Sequence, residues 1–590
     1  MEKWMVHTKR ADFEQIGKKY SISPLLARIL RNRDIEEEEI RQFLFGSIAE
    51  CYPARQLKDA QKAAEYLIQT LQEGKKIRIV GDYDIDGVCA SYILYQSFRR
   101  LHKEIDYVIP DRILDGYGIN EQIVEKAYQD GISLILTCDN GIAAFSAIDK
   151  ASKLGIDVIV TDHHEVPIDE MGNESLIKAY AIVNPKQREC TYPFKGICGA
   201  AVAYKLVELV YQLKGLSEEE VLPYMEYTAI ATIGDVMDLK GENRIFVQYG
   251  LSLLRKTKNL GLQALIKIHQ LKQEEISAYH IGFVLGPCLN AGGRLETARL
   301  ALQLLLSETK EDALARAQEL KKLNDLRKQM TGDGLKDALT YIEDNQLQRD
   351  KVLMLYLPHC HESLAGIVAG RVREIYEKPI FVLTKAKEGL KGSGRSIESY
   401  HMFRALSQCK DLLDKFGGHH MAAGLSVSEN NWKILYQKLN KEATLTEDDF
   451  IKKIWIDMEM PFDYWEEQKV KELNTLEPFG KANSRPLFAQ KNVQVKKVSI
   501  FGKKRNVLSL QLLSEWGREI KALLFREEDK FFHELTALYG EEMKNKLLMG
   551  EVKELYCKIV YYPVINQYQG KTSVELRIER YEWEKKKIIA

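Results

Sequence analysis

The chain has 590 residues, enough for three or four domains with well-buried cores. Lysine plus arginine and aspartate plus glutamate each total 85, so the formal net charge is zero and any polyanion binding has to come from local basic patches. Nine scattered cysteines without a C-x-x-C pair argue against a disulfide framework or a structural zinc site; with no apolar signal core and no membrane-length apolar run, they predict a soluble, cytoplasmic protein.

Residues 1–72 read as a helical segment, with Glu36, Glu37, Glu38 and Glu39 as a solvated helix face. From about 75 to 240, short apolar strands alternate with helical patterns at the spacing of βαβ units. Strands are expected at Ile77–Val80, 106–109, 134–137, Asp157–Thr161 and Ala181–Val183, with helices at 89–101 and 120–128. The fold class is therefore α/β, with a parallel sheet in a domain spanning 73–310. Residues 311–347 are charged and punctuated by leucine, which predicts one long connecting helix or two broken near Gly332-Asp333-Gly334. A second, smaller α/β domain over 348–445 starts with a strand at 352–356, followed by a helix at 364–376 and a strand at 380–383. Over 450–583 the helical grammar gives way to short alternating strands such as 507–512, the pattern of a small β-barrel or sandwich, for which the OB-fold is a candidate.

Three of the expected parallel strands run directly into metal-ligand chemistry. Ile77–Val80 leads to Gly81-Asp82-Tyr83-Asp84-Ile85-Asp86-Gly87, 134–137 to Cys138-Asp139-Asn140-Gly141, and Asp157–Thr161 to Asp162-His163-His164. Open parallel sheets bind ligands outside the carboxyl ends of their strands, so the three clusters converge. One such strand end would be an ordinary turn or a surface pair; three together make a site. Carboxylates with imidazole and no thiolate favour Mn²⁺ or Mg²⁺. Two such ions roughly 3.5–4 Å apart would activate a water and clamp both oxygens of an in-line displacement at phosphorus. Asp139, on the middle motif, is the expected bridging ligand. Asp235, after a small apolar helix, closes the set, with Asp238 as a substitute. An EF-hand reading of Asp82, Asp84, Asp86 and Gly87 fails because position twelve is Ile93 and a strand precedes the loop.

These motifs resemble the DHH phosphoesterase superfamily. Within it the chain is similar to the branch of single-strand-specific DNA exonucleases, through Leu289-Asn290-Ala291-Gly292-Gly293-Arg294, Gly366-Ile367-Val368-Ala369, Gly392-Ser393-Gly394-Arg395-Ser396, Gly417-Gly418-His419-His420 and Leu476-Glu477-Pro478-Phe479-Gly480. The resemblance covers about 55–583. It implies a DHH catalytic domain, a connecting helix, a DHHA1 domain and an OB-fold. It also implies 5′→3′ degradation of single-stranded DNA to mononucleotides, in recombination and repair. Asp82, Asp84, Asp86, Asp139, His163 and Asp235 would then hold two divalent ions, and His164 would sit by the scissile phosphate. Single-strand-binding protein and a RecQ-type helicase are the implied partners of a monomeric enzyme. Cys360 before His361, Gly370, and Asp115 before Gly116-Tyr117-Gly118 depart from the branch's usual residues without removing a ligand.

An exonuclease needs a pocket for a terminal phosphate, which planar guanidinium groups hold well. By the resemblance, Arg112, Arg294, Ser393 and Arg395 form it, with His419 facing nucleotide. Tyr117 could stack on a base or simply pack. In the β-rich region Lys496, Lys497, Lys503, Lys504 and Arg505 surround Phe501 and would track a DNA backbone. Two other functions stay open on the residues: a phosphodiesterase for very short oligonucleotides or cyclic dinucleotides, and a catalytically dead DNA-binding scaffold.

Overall fold

Strands β1 (Ile77–Val80), β2 (Ile105–Val108), β3 (Leu134–Cys138), β4 (Asp157–Thr161) and β5 (Ala181–Val183) form a wholly parallel sheet in the order β2-β1-β3-β4-β5. The computed structural model that shows this describes residues 2–112, 116–169, 171–502, 506–525 and 527–584. β1 and β3 are buried along their whole length, as expected of strands covered on both faces. Val80 lies opposite Thr137, and Cys138 opposite Thr161, so the carboxyl ends of β1, β3 and β4 are level. The chain adds β2 on one side of β1 and then β3 on the other, which places the switch in sheet direction between β1 and β3.

Helix α1 (Ile85–Arg99) begins four residues earlier than its apolar pattern suggests. Asp84 is its N-cap, accepting from the backbone N–H groups of Asp86 and Gly87, so the acidic motif itself forms the first turn. Helices α2 (Gly199–Leu213), α3 (Met225–Gly234) and α4 (Gly286–Leu295) follow. Then α5 runs unbroken over Lys310–Asp344. The glycines at 332 and 334 cost helix propensity of about 1 kcal/mol each, yet a Cβ at Gly334 would sit 3.1 Å from Val368 of α6 (Glu362–Tyr376). Close packing of α5 on α6 uses the missing side chain, and a kink would lose that contact.

The second sheet is mixed: β6 (Leu353–Tyr356) pairs parallel with β7 (Ile380–Lys385), and β8 (Leu390–Arg395), β9 (Lys415–Gly418) and β10 (Ala422–Val427) complete the order β9-β10-β8-β7-β6. Both sheets belong to one compact unit, Ile48–Lys452.

The other unit joins Glu2–Ser47 to the chain from Lys453 on. The stretch 1–72, helical throughout by its pattern, therefore divides near Ser47, and it opens with a strand, Glu2–Val6. Leu26, Ile29, Leu30 and Phe43 share a core with Phe462, Trp465 and Phe488. The four glutamates form a capped 3-10 turn rather than a helix face, with Glu36 and Glu37 paired to Arg31 and Lys19.

Strands β11 (Phe488–Phe501), β12 (Val507–Leu513), β13 (Glu519–Phe525), β14 (Tyr556–Tyr568) and β15 (Lys571–Glu584) form a barrel in the order β11-β12-β13-β15-β14, closed by β14 pairing back to β11. Three of these strands are 13 or 14 residues long, not short. Register shifts at Gln490/Val493, Val495/Lys497 and Val560/Tyr561 bend them and interrupt the alternation, so periodicity sees only pieces. A helix, Glu528–Met549, is inserted before β14. Among the described residues no helix is long and apolar enough to cross a membrane.

Candidate metal centre

At the end of β1, Asp82 and Asp86 are each 1% exposed. Asp86 is held by the start of α2: its Oδ2 accepts from Gly199 N–H at 2.6 Å and its Oδ1 from Ala200 N–H at 2.7 Å. A Cβ on Gly199 would stand 2.7 Å from the Asp139 Cβ, so only glycine lets α2 come this close.

At the end of β3, Asp139 has φ +61, a left-handed backbone that sets its buried carboxylate among the others. Asn140 fixes that turn, donating to the carbonyls of Val80 and Cys138 and accepting from Ile119 N–H.

At the end of β4 the three motif residues separate in role. His163, 7% exposed, has Nε2 at 3.0 Å from Asp139 Oδ1, 3.4 Å from Asp86 Oδ2 and 3.8 Å from Asp235 Oδ2. His164 turns the other way, with Nδ1 2.8 Å from Asp162 Oδ1. Asp162 also accepts from the N–H groups of His163, His164 and Ile142. Its carboxylate is thus fully used inside the protein, and its role in aiming His164 was not visible in the motif.

Among the described residues, donor atoms gather into three groups, each within 4.8 Å: Asp82, Asp84 and Asp139; Asp86, His163 and Asp235; and Asp139, His163 and His164. Asp139 belongs to two of them. Among the described residues, Asp82 Oδ1, Asp139 Oδ1 and His163 Nδ1 are buried and make no well-aligned hydrogen bond, although His163 Nε2 lies close to that Asp139 oxygen. Burial and the Asp84 charge raise Asp82 to about 8, and burial with the Asp86 charge raises Asp235 to about 8. Asp139 is pushed well above the carboxylate range by burial and by the charges of Asp86, Asp84 and Asp82. Burial lowers His163. It would lower His164 too, but the Asp162 hydrogen bond and charge prevail and hold that ring at about 9. Crowded, desolvated carboxylates with orphaned oxygens and an imidazole are a donor set that fits hard divalent cations.

A rim of cationic groups belongs to the same unit. Arg294 donates to the Ser363 carbonyl, and Arg395 donates to Ser393 Oγ and the Gly394 carbonyl. Arg112 lies over the Tyr83 ring at 5.0 Å. Burial first, and then the charge of Arg112, lowers both Arg294, to about 10, and Arg395. Three guanidinium groups thus feel one another, and among the described residues none pairs with a carboxylate. The Tyr117 hydroxyl donates to the Asp139 carbonyl at 2.9 Å and lies 3.2 Å from the His164 ring nitrogens, while 51% of the residue is exposed. His419 is exposed on the turn between β9 and β10, at the end of the sheet where Ala422 pairs with Arg395. Asn290 accepts from Ile85 N–H at 2.8 Å, a support for the acidic motif whose role sequence reasoning did not identify.

In the barrel, Lys497 and Lys521 line a groove with Ser499, Ser509 and Gln511, Lys496 pairs with Glu519, and Phe501 is exposed. Lys503, Lys504 and Arg505, like Asp115, lie outside the described residues.

Comparison with known proteins extends over nearly the whole chain. The DHH family, N-terminal domain, matches residues 76–234, the DHHA1 domain 349–444 and the RecJ OB domain 456–580. Single-stranded-DNA-specific exonuclease RecJ of Escherichia coli is 35% identical over 442 residues, covering 72% of this chain and 75% of that protein. The protein of the same name from Dickeya dadantii is 30% identical, covering 95% and 96%. That of Bacillus subtilis is 35% identical over 87% of this chain, and the match spans 64% of its length. A crystal structure of exonuclease RecJ bound to manganese superposes with a TM-score of 0.57 at 30% identity, over 67% of this chain and 96% of that one. RecJ from Thermus thermophilus, crystallised with Mn²⁺, has a TM-score of 0.81 at 24% identity over 99% and 80%, a likeness of fold.

Proposed function

The chain belongs to the RecJ family of single-stranded-DNA-specific exonucleases, and from that premise we propose that it removes nucleotides from the 5′ end of a single DNA strand by metal-dependent phosphodiester hydrolysis. The observation that carries this reading is the presence of an acidic cluster and a guanidinium cluster in one unit. Buried carboxylates crowd three level strand ends, and among the described residues Arg112, Arg294 and Arg395 feel one another's charge without a salt bridge to a carboxylate.

Asp82, Asp84, Asp86, Asp139, His163 and Asp235 are the residues that would hold two divalent ions, Mn²⁺ or Mg²⁺, with Asp139 shared. When bound, such ions supply Lewis-acid activation of water and neutralise charge at the reacting phosphate. His164, with Nδ1 tied to Asp162, presents Nε2 to the scissile phosphate and stabilises the negative charge that grows there. The Tyr117 hydroxyl steadies the same ring, while its exposed face is available to a base. Arg112, Arg294, Arg395 and Ser393 hold the terminal phosphate, so the position of the cut is measured from the end. His419 faces the bound nucleotide, and Lys496, Lys497 and Phe501 of the barrel contact the strand. The enzyme acts as a cytoplasmic monomer in recombination and repair, with single-strand-binding protein and a RecQ-type helicase as partners.

The test is to incubate a 5′-labelled single strand with Mn²⁺ and follow product size. Early labelled mononucleotide supports the reading. Cleavage confined to very short oligomers would instead indicate a small-substrate phosphodiesterase, and binding without cleavage a scaffold.

A further inference from the structure

One helical run connects the cationic rim, the acidic motif and an exposed aromatic pair. It consists of Ala278–His280, a π-helical segment Ile281–Leu285, and α4. Pro287 has no N–H to give the Phe283 carbonyl, and the wider π turn absorbs that loss. At the far end of the run Arg294 joins the guanidinium cluster, and a Cβ on Gly293 would lie 2.2 Å from the Tyr83 carbonyl. In the middle, Asn290 holds Ile85 N–H, and a Cβ on Gly286 would lie 3.2 Å from the Ile85 side chain. At the near end a Cβ on Gly282 would lie 3.6 Å from Ile233, two residues before Asp235.

Tyr279 and Phe283 stand on this near end, one helical turn apart, with ring centroids 5.0 Å apart and planes at 28°. They are 60% and 69% exposed, so the stacked pair buries little and contributes little as core. Val236, immediately after Asp235, is also exposed, at 59%, with φ +58, a strained backbone for a β-branched residue. Exposed apolar side chains thus stand both on this near end and beside the acidic cluster.

We propose that Tyr279 and Phe283 form a base-stacking platform for the part of the DNA strand lying 3′ of the bond being cut. This rests on the exonuclease reading above. The helical run orders the three elements: terminal-phosphate clamp, acidic motif, aromatic pair. A strand anchored by its 5′ phosphate at the first and cut at the second continues over the third. Asn290 to Phe283 is seven residues, about 10 Å at the helical rise, or about three stacked nucleotide steps. Stacking on ring faces is indifferent to sequence, as an exonuclease that advances along any strand requires.

The test compares the full chain with Tyr279→Ala/Phe283→Ala and Tyr279→Trp/Phe283→Trp on two 5′-phosphorylated substrates. One is a dinucleotide, too short to reach the platform. The other is an oligothymidylate of about 20 nucleotides, long enough to cross a binding track of this kind. The alanine pair is expected to lose about tenfold or more in kcat/KM on the long strand, chiefly through KM. It should retain wild-type kcat/KM on the dinucleotide, and the tryptophan pair should recover the long-strand rate. Abasic residues placed opposite the platform should erase the difference between wild type and the alanine pair. Equal long-strand rates for wild type and the alanine pair, or equal losses on both substrates, overturn the platform. If the wild-type chain cuts neither substrate, the exonuclease reading fails instead. Metal-free fluorescence anisotropy with the labelled long strand then decides the platform, and an unchanged Kd in the alanine pair overturns it.

Discussion

His164 Nδ1 lies 2.8 Å from Asp162 Oδ1, while the neighbouring ring of His163 points its Nε2 3.0 Å from Asp139 Oδ1. Two adjacent imidazoles on one strand end therefore face different partners, and the buried Asp162 carboxylate divides their tasks. Asp162→Asn preserves the shape but removes the charge that orients His164 and holds it protonated. Turnover should fall about 10²-fold, with strand affinity little changed. Single-turnover kinetics beside equilibrium binding check this, and a loss confined to binding would contradict it.

Asp139 is common to two donor groups, so no single carboxylate should matter more. Asp139→Asn should lower turnover by about 10³-fold or more while leaving strand binding largely intact. Because it also relieves like-charge crowding, the metal-free variant should melt no lower than the metal-free wild type. Calorimetry and the labelled-strand assay together test the assignment; full activity in the variant would falsify it.

Asp82 and Asp235 are both raised to about 8 in the folded chain without ions, against about 3.9 for an unfolded aspartate. The folded state binds more protons than the unfolded state between those values. Metal-free stability should therefore be greatest below about pH 4 as far as these groups are concerned, and their contribution is lost as pH rises through about 8. Mn²⁺ displaces the same protons, so its affinity should rise over that window. Melting curves at about pH 6 and about pH 8.5 should show the metal-free Tm falling and Mn²⁺ closing the gap. A metal-free Tm that rises with pH would contradict the cluster's electrostatics.

Arg395 spends its Nη1 on Ser393 and Gly394, which leaves its other donors for the terminal phosphate proposed above. Arg395→Ala should reduce the preference for 5′-phosphorylated over 5′-hydroxyl strands by about 10- to 100-fold in kcat/KM, the size of a lost charged hydrogen bond. The rate on 5′-hydroxyl strands should change far less. A uniform loss on both substrates would assign the arginine to general folding or strand binding.

Arg33 pairs with Asp457 at 3.0 Å, both side chains almost wholly buried, and also donates to the carbonyls of Ile29 and Ser484. Arg33→Ala leaves a buried carboxylate unpaired and should destabilise the C-terminal unit by about 3 kcal/mol. Denaturant unfolding followed by barrel tryptophan fluorescence measures it. Cleavage of a dinucleotide, which needs only the catalytic unit, should persist.

Much of the catalytic sheet was legible because burial on both faces leaves near-continuous apolar runs. Ile77–Val80, Asp157–Thr161 and Ala181–Val183 have the bounds their patterns suggest. Less legible was anything whose cause lies far along the chain. The start of α1 moved because Asp84 caps it, α5 stayed whole because Gly334 meets Val368, and the barrel strands looked short because bulges break their alternation. The affiliation of Glu2–Ser47 with the C-terminal unit depends on contacts such as Ser23 to Glu472 and Asn32 to Asp457, which no local periodicity encodes.

Sequence by itself determined the chemistry on offer. A strand needs an apolar run and a metal needs carboxylates and imidazoles, and both are properties of adjacent residues. Tertiary structure decided how that chemistry is divided. Which imidazole faces the acids, which carboxylate merely aims its neighbour, and where the aromatic pair stands relative to the acidic motif all depend on side-chain direction and on close approach between distant segments. Those relations arise only once the sheet levels its strand ends and the helices pack against them.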